Sequence, residues 1–260
     1  SRQRGAEMAM ACLASGKRIN SAADDPAGVA IASRLNSEIR GTSQAIRNAL
    51  DGQALIDTAE GGHKEVENIL QRMREIAVQA ANDTNSSQDR ANLNEEMKAL
   101  STEIDRIAVA TSWAGKSLMN QDSSQFSFQV GASTNAESAI TISIGSMSAT
   151  ALSLDHTSVS VMSSENSQFA ISAIDQAITS VNSQRSMLGA TLNRLNYAVN
   201  NLTSVSGNLV SALGRIQDTD YAAEIIALAK HQILQKAAMA MLAQANASKS
   251  YVLTLLRSIN

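Results

Sequence analysis

From Gln168 to Gln217 the apolar positions recur every three or four residues. Numbered in sevens from Ile171, one position of the repeat holds Ile171, Ile178, Arg185, Leu192, Val199, Ser206 and Leu213. The position three residues on holds Ile174, Val181, Leu188, Leu195, Leu202, Leu209 and Ile216. Only Arg185 and Ser206 break the pattern. A 3.5-residue repeat kept this long predicts one helix with a narrow apolar seam, as in a coiled coil. At about 1.5 Å per residue it is a rod of roughly 75 Å. Such a rod does not fold alone, because its seam needs partners of similar length. Polar residues in a seam more often fix register than perform chemistry, and Arg185 and Ser206 are read that way.

The rest of the chain supplies the partners. Residues 1 to 19 predict a helix with Met8, Ala11, Cys12 and Leu13 on one side, broken near Ser15 and Gly16. Asp24-Asp25-Pro26 is a helix start, since a carboxylate caps free N–H groups and proline suits the first turn. From Pro26 to about Ala81 the pattern is helical, with Leu35, Ile39, Ile46 and Leu50 in one stripe and Val66, Ile69, Met73, Ile76 and Ala80 in a heptad. Gly61-Gly62 reads as a hinge or as a place where a neighbour packs closely. The loop 82–87 leads to a third helix, Gln88 to Ala110, capped by Ser86 or Ser87. Residues 126–130 and 139–144 alternate apolar and polar residues and predict a β-hairpin, flanked by Ser/Thr/Asn-rich surface loops. Asp218-Thr219-Asp220 caps a last helix, Tyr221 to Leu256. Its apolar side finds no partner beyond residues 1 to 19, and leftover apolar surface implies partner chains. The fold class is mainly α: an elongated antiparallel helical bundle or coiled-coil rod with a small β-hairpin region.

Composition narrows the classes of function. Aromatic residues make up 3% of the 260, proline occurs once, and net charge is −3 with the signs interspersed. That suits long helices packed through small and aliphatic residues, and argues against nucleic acid or an anionic membrane as partner. The lone Cys12 excludes an internal disulfide, and no apolar run has the length of a membrane span. His63, His156 and His231 lie apart, without zinc-ligand spacing, and read as surface residues. Asp24 and Asp25 read as caps rather than a catalytic pair, the methionines as core gap-fillers, and Cys12 as buried filler. No nucleophile elbow, phosphate loop or dinucleotide fingerprint is present. No cofactor or metal site is predicted, and an enzyme has no residues to stand on.

Several words of the sequence then carry a family resemblance. Gly16-Lys-Arg-Ile-Asn-Ser-Ala, Asp24-Asp25, Gly28-Val-Ala-Ile, Arg47-Asn48-Ala49 and Thr58-Ala-Glu-Gly resemble the N-terminal signature of bacterial flagellins. Leu70 to Gln79 and Glu103-Ile-Asp-Arg-Ile107 continue it. Arg215-Ile, Asp220-Tyr221-Ala222, Gln232-Ile-Leu-Gln235 and Leu242-Ala-Gln-Ala-Asn246 resemble the C-terminal half. The resemblance implies a filament subunit whose termini pair into an inner coiled coil. On that plan residues 1–20 are part of the inner segment, 21–120 the N-terminal rod helices and 121–167 the hairpin and variable loops. Residues 168–217 are the C-terminal rod helix and 218–260 the inner, filament-core helix. It further implies export through the flagellar channel, other flagellin subunits as partners, an export chaperone, and cap and hook-junction proteins. In this family the segment matching 70–79 is also read by the animal innate flagellin receptor, which makes Arg72, Ile76 and Glu96 candidate contacts. The alternative is that these residues only pack neighbouring subunits.

Two departures from the family stand out. Family members carry a longer N-terminal helix before the segment matching Ser1, so this form is expected to polymerise weakly or not at all. Pro26 stands where the family usually has Ala, which should only firm the cap. The leading expectation is a structural subunit of the flagellar filament, secreted and serving motility. The runner-up is a cell-surface adhesion protein, for example glycan-binding, on the same scaffold; the shortage of aromatic residues weakens it.

Overall fold

The computed structural model describes residues 2–120, 123–133, 135–155 and 159–258, with side chains from 4 to 249 apart from that of Ser123. Five α-helices carry most of that range: α1 (Arg2–Ser15), α2 (Pro26–Ala81), α3 (Ser87–Ala110), α4 (Ser164–Gln217) and α5 (Tyr221–Ser258). Two antiparallel strand pairs lie between α3 and α4: β1 (Ser112–Trp113) with β2 (Lys116–Ser117), and β3 (Ser123–Gln129) with β4 (Ala139–Gly145). The chain divides into two compact units, one of residues 1–40 and 206–260, the other of residues 41–205.

In the second unit, α2 and α4 run antiparallel in a register legible from their polar contacts. Arg74 meets Asp175 at 2.7 Å, Arg185 meets Glu60 at 2.6 Å, and Gln53 donates to Asn196 at 2.9 Å. As one number falls the other rises in step, so the two rods stay aligned over roughly 30 Å. The core between them is Leu55, Ile56, Ala59, Val66, Leu70, Met73 and Ile76 of α2 against Ile174, Val181, Leu188 and Leu195 of α4. α3 turns back after the 82–86 loop. Ser86 caps it, accepting from Asp89 N while the Asp89 carboxylate accepts from Ser86 N. Each such cap contributes about 1 kcal/mol.

Only one row of the expected seam on α4 is fully buried in the unit, the other packing at the edge of the core. Ile174, Val181, Leu188 and Leu195 are buried, but Ile171, Ile178, Leu192 and Val199 are half-exposed. The second buried row is Ala170, Ala177 and Thr191 instead. They lie one turn before Ile174, Val181 and Leu195 and let a neighbouring helix approach closely.

The glycines of α2 are docking points. The helix runs unbroken through Gly61-Gly62, so there is no hinge. A Cβ on Gly62 would lie 2.6 Å from Met119 Sδ and 2.8 Å from Thr111 Oγ1, whereas Gly61 faces open space. The hairpin seats itself one step along: the Phe128 ring lies 3.0 Å from where a Gly52 Cβ would be, and Asn48 Nδ2 donates to Gln129 O at 3.1 Å. The β1–β2 turn has Ala114 at φ 48° and Gly115 at φ 79°, the two positive values a tight two-residue hairpin turn requires.

The segment after β4 corrects an expectation. Its Ser/Thr-rich composition predicts surface loops, yet Met147, Ala149, Leu152, Leu154, Val159 and Val161 are all buried. It runs antiparallel along α3 as a strap, fastened at three points. Asp105 accepts from Ala149 N at 2.7 Å, Ser101 donates to Leu154 O at 2.9 Å, and Asn94 accepts from Val161 N at 3.1 Å. The polar residues that suggested a loop bracket one apolar residue at each turn of the strap, and those residues complete the core.

In the first unit α1 and α5 are antiparallel neighbours. Gly16 lies against Tyr221, and Gly5 against the His231 ring. Gly16 (φ 68°) ends α1 in the left-handed conformation, its N–H returning to Cys12 O at 2.9 Å. Arg18 N donates to Gln217 O and Thr219 N to Gly16 O, tying the exit of α1 to the α4–α5 junction. The buried face of α1 is Ala6, Ala9 and Cys12; Met8 and Ala11, expected on it, are exposed. The small residues face inward because α5 packs too close for a methionine.

Candidate subunit-packing site

The titratable groups serve structure. Asp25 caps α2, its Oδ1 accepting from Gly28 N at 2.9 Å. Asp24 accepts instead from Ser21 N and Asn20 N in the preceding turn, and those bonds hold its carboxyl below the usual range. The two carboxylates point to different tasks, as a cap reading requires. Cys12 is buried, and burial pushes its thiol up from the ordinary value. Among the described residues no three His, Cys, Asp or Glu side chains gather to hold a metal ion. His156 lies outside the described residues.

His63 departs from its expected surface position. It is 0% exposed. Its Nδ1–H donates to Ala59 O at 2.7 Å, which fixes the neutral tautomer, and Nε2 has no partner. Burial lowers its pKa below the ordinary histidine value, against smaller opposing pulls from its bond to the Ala59 carbonyl and from Glu60. The signal was available in the sequence: Ala59, His63, Val66 and Leu70 share one helical stripe. His231 is half-buried against Gly5 rather than free on the surface.

Arg185, read as a register residue, forms a cross-helix knot. Its guanidinium bonds Glu60 through Nε (2.8 Å) and Nη2 (2.6 Å), and Glu67 through Nη1. The Glu60 bonds above all hold Arg185 protonated. Two acids seven residues apart on α2, facing one arginine in a seam, are what pin α4 in place.

Of the candidate contact residues, the structure brings Arg72 and Glu96 together and leaves Ile76 apart. Arg72 Nη2 lies 2.7 Å from Glu96 Oε1 and Nη1 lies 3.1 Å from Glu75, all three side chains being solvent-exposed. Ile76 is buried in the α2 core, so its side chain does not share that surface.

The surface that carries chemistry is apolar. On α5, Ile225, Ile226, Ile233, Met239, Met241 and Leu242 are exposed, and Met8 and Met10 are exposed on α1. Six of the methionines are therefore on the surface, not filling the core. The side chains of Val252, Leu253, Leu255 and Leu256 lie outside those described. Each large aliphatic residue left in water forgoes about 1.5–3 kcal/mol of burial. No helix among the described residues is long and apolar enough to cross a membrane. Apolar faces of this kind are covered when a second apolar surface is laid against them.

Long amphipathic helices with uncovered apolar faces define a packing protein, a component of assemblies. The model of the bacterial flagellin N-terminal helical region matches residues 1–124, and that of the C-terminal helical region matches residues 171–256. The chain is 43% identical to a flagellin of Halalkalibacterium halodurans over 251 residues, 96% of this chain and 92% of that protein. It is 39% identical to the flagellin of Bacillus subtilis, over 94% of this chain and 90% of that one. The crystal structure of Bacillus cereus flagellin superposes with a TM-score of 0.52 at 30% identity, covering 64% of this chain and 94% of that one. The chain belongs to the bacterial flagellin family. It is a structural subunit of the flagellar filament, a structure displayed at the cell surface, and it associates with other flagellin subunits. Nothing supports the adhesion alternative.

Proposed function

We propose that this subunit joins its neighbours chiefly through the unit formed by α1 and α5, that unit serving as the filament's inner segment and residues 41–205 as the rod. The observation that carries this reading is the exposed apolar residues Ile225, Ile226 and Ile233 on one side of α5 and Leu242 on another, on a helix that α1 covers only in part. Each of these residues gains about 1.5–3 kcal/mol when a second apolar helix is laid against it. The test is Ile226→Glu or Leu242→Glu in the complete gene product, with filament mass read by sedimentation and electron microscopy. Loss of filaments with an intact monomer supports the reading, and normal filaments refute it. The same exposed apolar residues of α5 are what an export chaperone would cover before assembly, and cap and hook-junction proteins would meet them at the filament ends.

A second reading concerns Arg72 and Glu96. Their exposed charge pair offers the animal innate flagellin receptor a fixed donor–acceptor array, while Ile76 acts beneath it as a packing residue. Arg72→Ala and Glu96→Ala should each reduce signalling in a receptor-reporter assay. Unchanged signalling leaves the pair as a subunit-packing contact.

A further inference from the structure

Charge is unevenly distributed along this chain. The net charge of −3 argues against an anionic surface as partner only while it is taken as an average. All 24 acidic residues lie at or before Glu224, and from Ile225 to Asn260 the charged side chains are Lys230, Lys236, Lys249 and Arg257. α5 is therefore a basic helix on a chain whose balance is acidic. Basic residues on a helix with exposed apolar side chains are the pattern of a surface-seeking helix.

The side of α5 turned away from α1 carries an apolar stripe. α1 lies over His231, whose ring meets Gly5. At about 100° of turn per residue, Ala222, Ile226, Ala229, Ile233, Ala237 and Ala240 stay within an arc of about 80° on the side opposite that contact. All six are exposed, Ile226 at 69% and Ile233 at 67%. The stripe is roughly 27 Å long. Its steps of three and four residues average one helical turn, so it runs straight and can lie flat on a plane. Lys236 borders one edge of the stripe and Lys230 the other, both exposed.

We propose that this side of α5 is a membrane-surface site: in the free subunit the helix lies in the plane of an anionic lipid bilayer, its stripe sunk among the acyl chains and its lysines at the phosphates. The described part of α5 is not apolar enough to cross a bilayer, and a helix with an apolar stripe bordered by lysines lies in the interface instead. The four-carbon stem of lysine leaves the ammonium among the headgroups while the stripe sinks below it. Charge complementarity selects anionic lipid, since no acid from Ile225 onward repels phosphate. The alternation of isoleucine with alanine leaves notches that a fluid surface fills, whereas a protein groove takes bulky anchors at successive turns. The site belongs to the subunit before it joins a filament. It shares residues with the packing reading given above and does not depend on it.

Vesicle binding is measured by flotation, with the complete gene product held below its critical concentration for filament growth. The parent should bind vesicles containing phosphatidylglycerol at least tenfold more tightly than vesicles of phosphatidylcholine alone, and raising salt to about 1 M should remove most of that difference by screening. Lys230→Gln combined with Lys236→Gln should weaken binding to the anionic vesicles by about fivefold for each lysine and leave binding to the neutral ones unchanged. Ile226→Ser should weaken binding to both, while Leu242→Ser, at a residue 68% exposed on the other side of the helix, should change neither. Melting temperatures matching the parent control for folding; should a serine variant melt lower, the lysine pair carries the decision. No binding by the parent, equal binding to the two kinds of vesicle, or a loss at Leu242 equal to that at Ile226 overturns the proposal. If vesicles go unbound while Ile226→Glu blocks filament growth, the proposal falls and the packing reading stands. If vesicles bind as expected while Ile226→Glu leaves filaments normal, the packing reading falls and the lipid site stands.

Discussion

Removing the Arg185 guanidinium is the most discriminating perturbation of the subunit's interior. Arg185 contacts both Glu60 and Glu67, its side chain 29% exposed and theirs 36% and 23%. A fully exposed pair contributes about 0.2–1 kcal/mol, and breaking a fully buried one costs about 3–5 kcal/mol. Two bridges at this intermediate depth place Arg185→Ala at about 2 kcal/mol, part of which is the mutual repulsion of two acids left facing α4. With a slope of about 1–3 kcal/mol per molar urea, the unfolding midpoint should fall by about 1 M. Two controls separate electrostatics from packing. The triple variant Arg185→Met, Glu60→Gln, Glu67→Gln removes all three charges at similar volume and should recover most of the loss. Raising salt to 1 M, where screening acts within about 3 Å, should restore part of the stability of Arg185→Ala through its unpaired acids. A loss below about 0.5 kcal/mol, or a triple variant no better than the single one, would refute the knot as the device that holds α2 and α4 in register.

Three further outcomes follow from the packing. His63 is buried neutral, so its pKa is lower folded than unfolded, and the unfolded chain binds more protons. Its contribution is complete above the unfolded value of about 6.5 and is lost as pH falls below it. The parent's melting temperature should therefore drop between pH 7 and pH 5 more steeply than that of His63→Gln, and parallel curves would contradict the assignment. Asn94→Ala leaves Val161 N–H without its acceptor and should cost about 1–3 kcal/mol, with faster amide exchange confined to residues 147–163. Gly61→Ala, facing open space in a helix, should stabilise by about 0.5–1 kcal/mol, whereas Gly62→Ala must displace Met119 and Thr111 and should destabilise by about 1–3 kcal/mol. Equal effects at the two glycines in thermal melts would show that the contact at Gly62 is not tight.

What could be read from the sequence was whatever a single helix decides for itself. Pro26–Ala81 emerged with both its ends, because Asp25 caps the first turn and the Asn-rich loop stops the last. The hairpin emerged because Phe126, Phe128, Ile140, Ile142 and Ile144 alternate with polar residues. What two elements decide together was harder to see. The strap 147–161 scores as a loop by composition, since its apolar residues are spaced irregularly to suit α3 and follow neither a helical nor a strand period. His63 looked like a surface residue because histidine usually is one, although its stripe on α2 pointed inward. The α5 face was legible as leftover apolar surface, but the partners of Asp175 and Arg185 on α2 were not, because they depend on the register of two helices.

The division of the α4 repeat explains why one helix can serve two kinds of contact. Its buried row, Ile174, Val181, Leu188 and Leu195, is satisfied by α2 and the core around it. The row three residues earlier, Ile171, Ile178, Leu192 and Val199, remains half-exposed, because small Ala170 and Ala177 draw the neighbouring helix to the other flank. A heptad in which both rows were consumed internally would leave the subunit stable and self-sufficient. Here the second row is packed against the core but stays partly exposed, and covering the remainder at roughly 25 cal/mol per Å² favours association without exposing enough apolar surface to collapse the free subunit. Exchanging Ala170 and Ala177 for leucine should push the neighbouring helix away from that flank and destabilise the monomer by about 1–3 kcal/mol for each overpacked site. If both exchanges instead left the monomer's melting temperature unchanged, the small residues would not be what selects the buried row, and the split of the seam would need another cause.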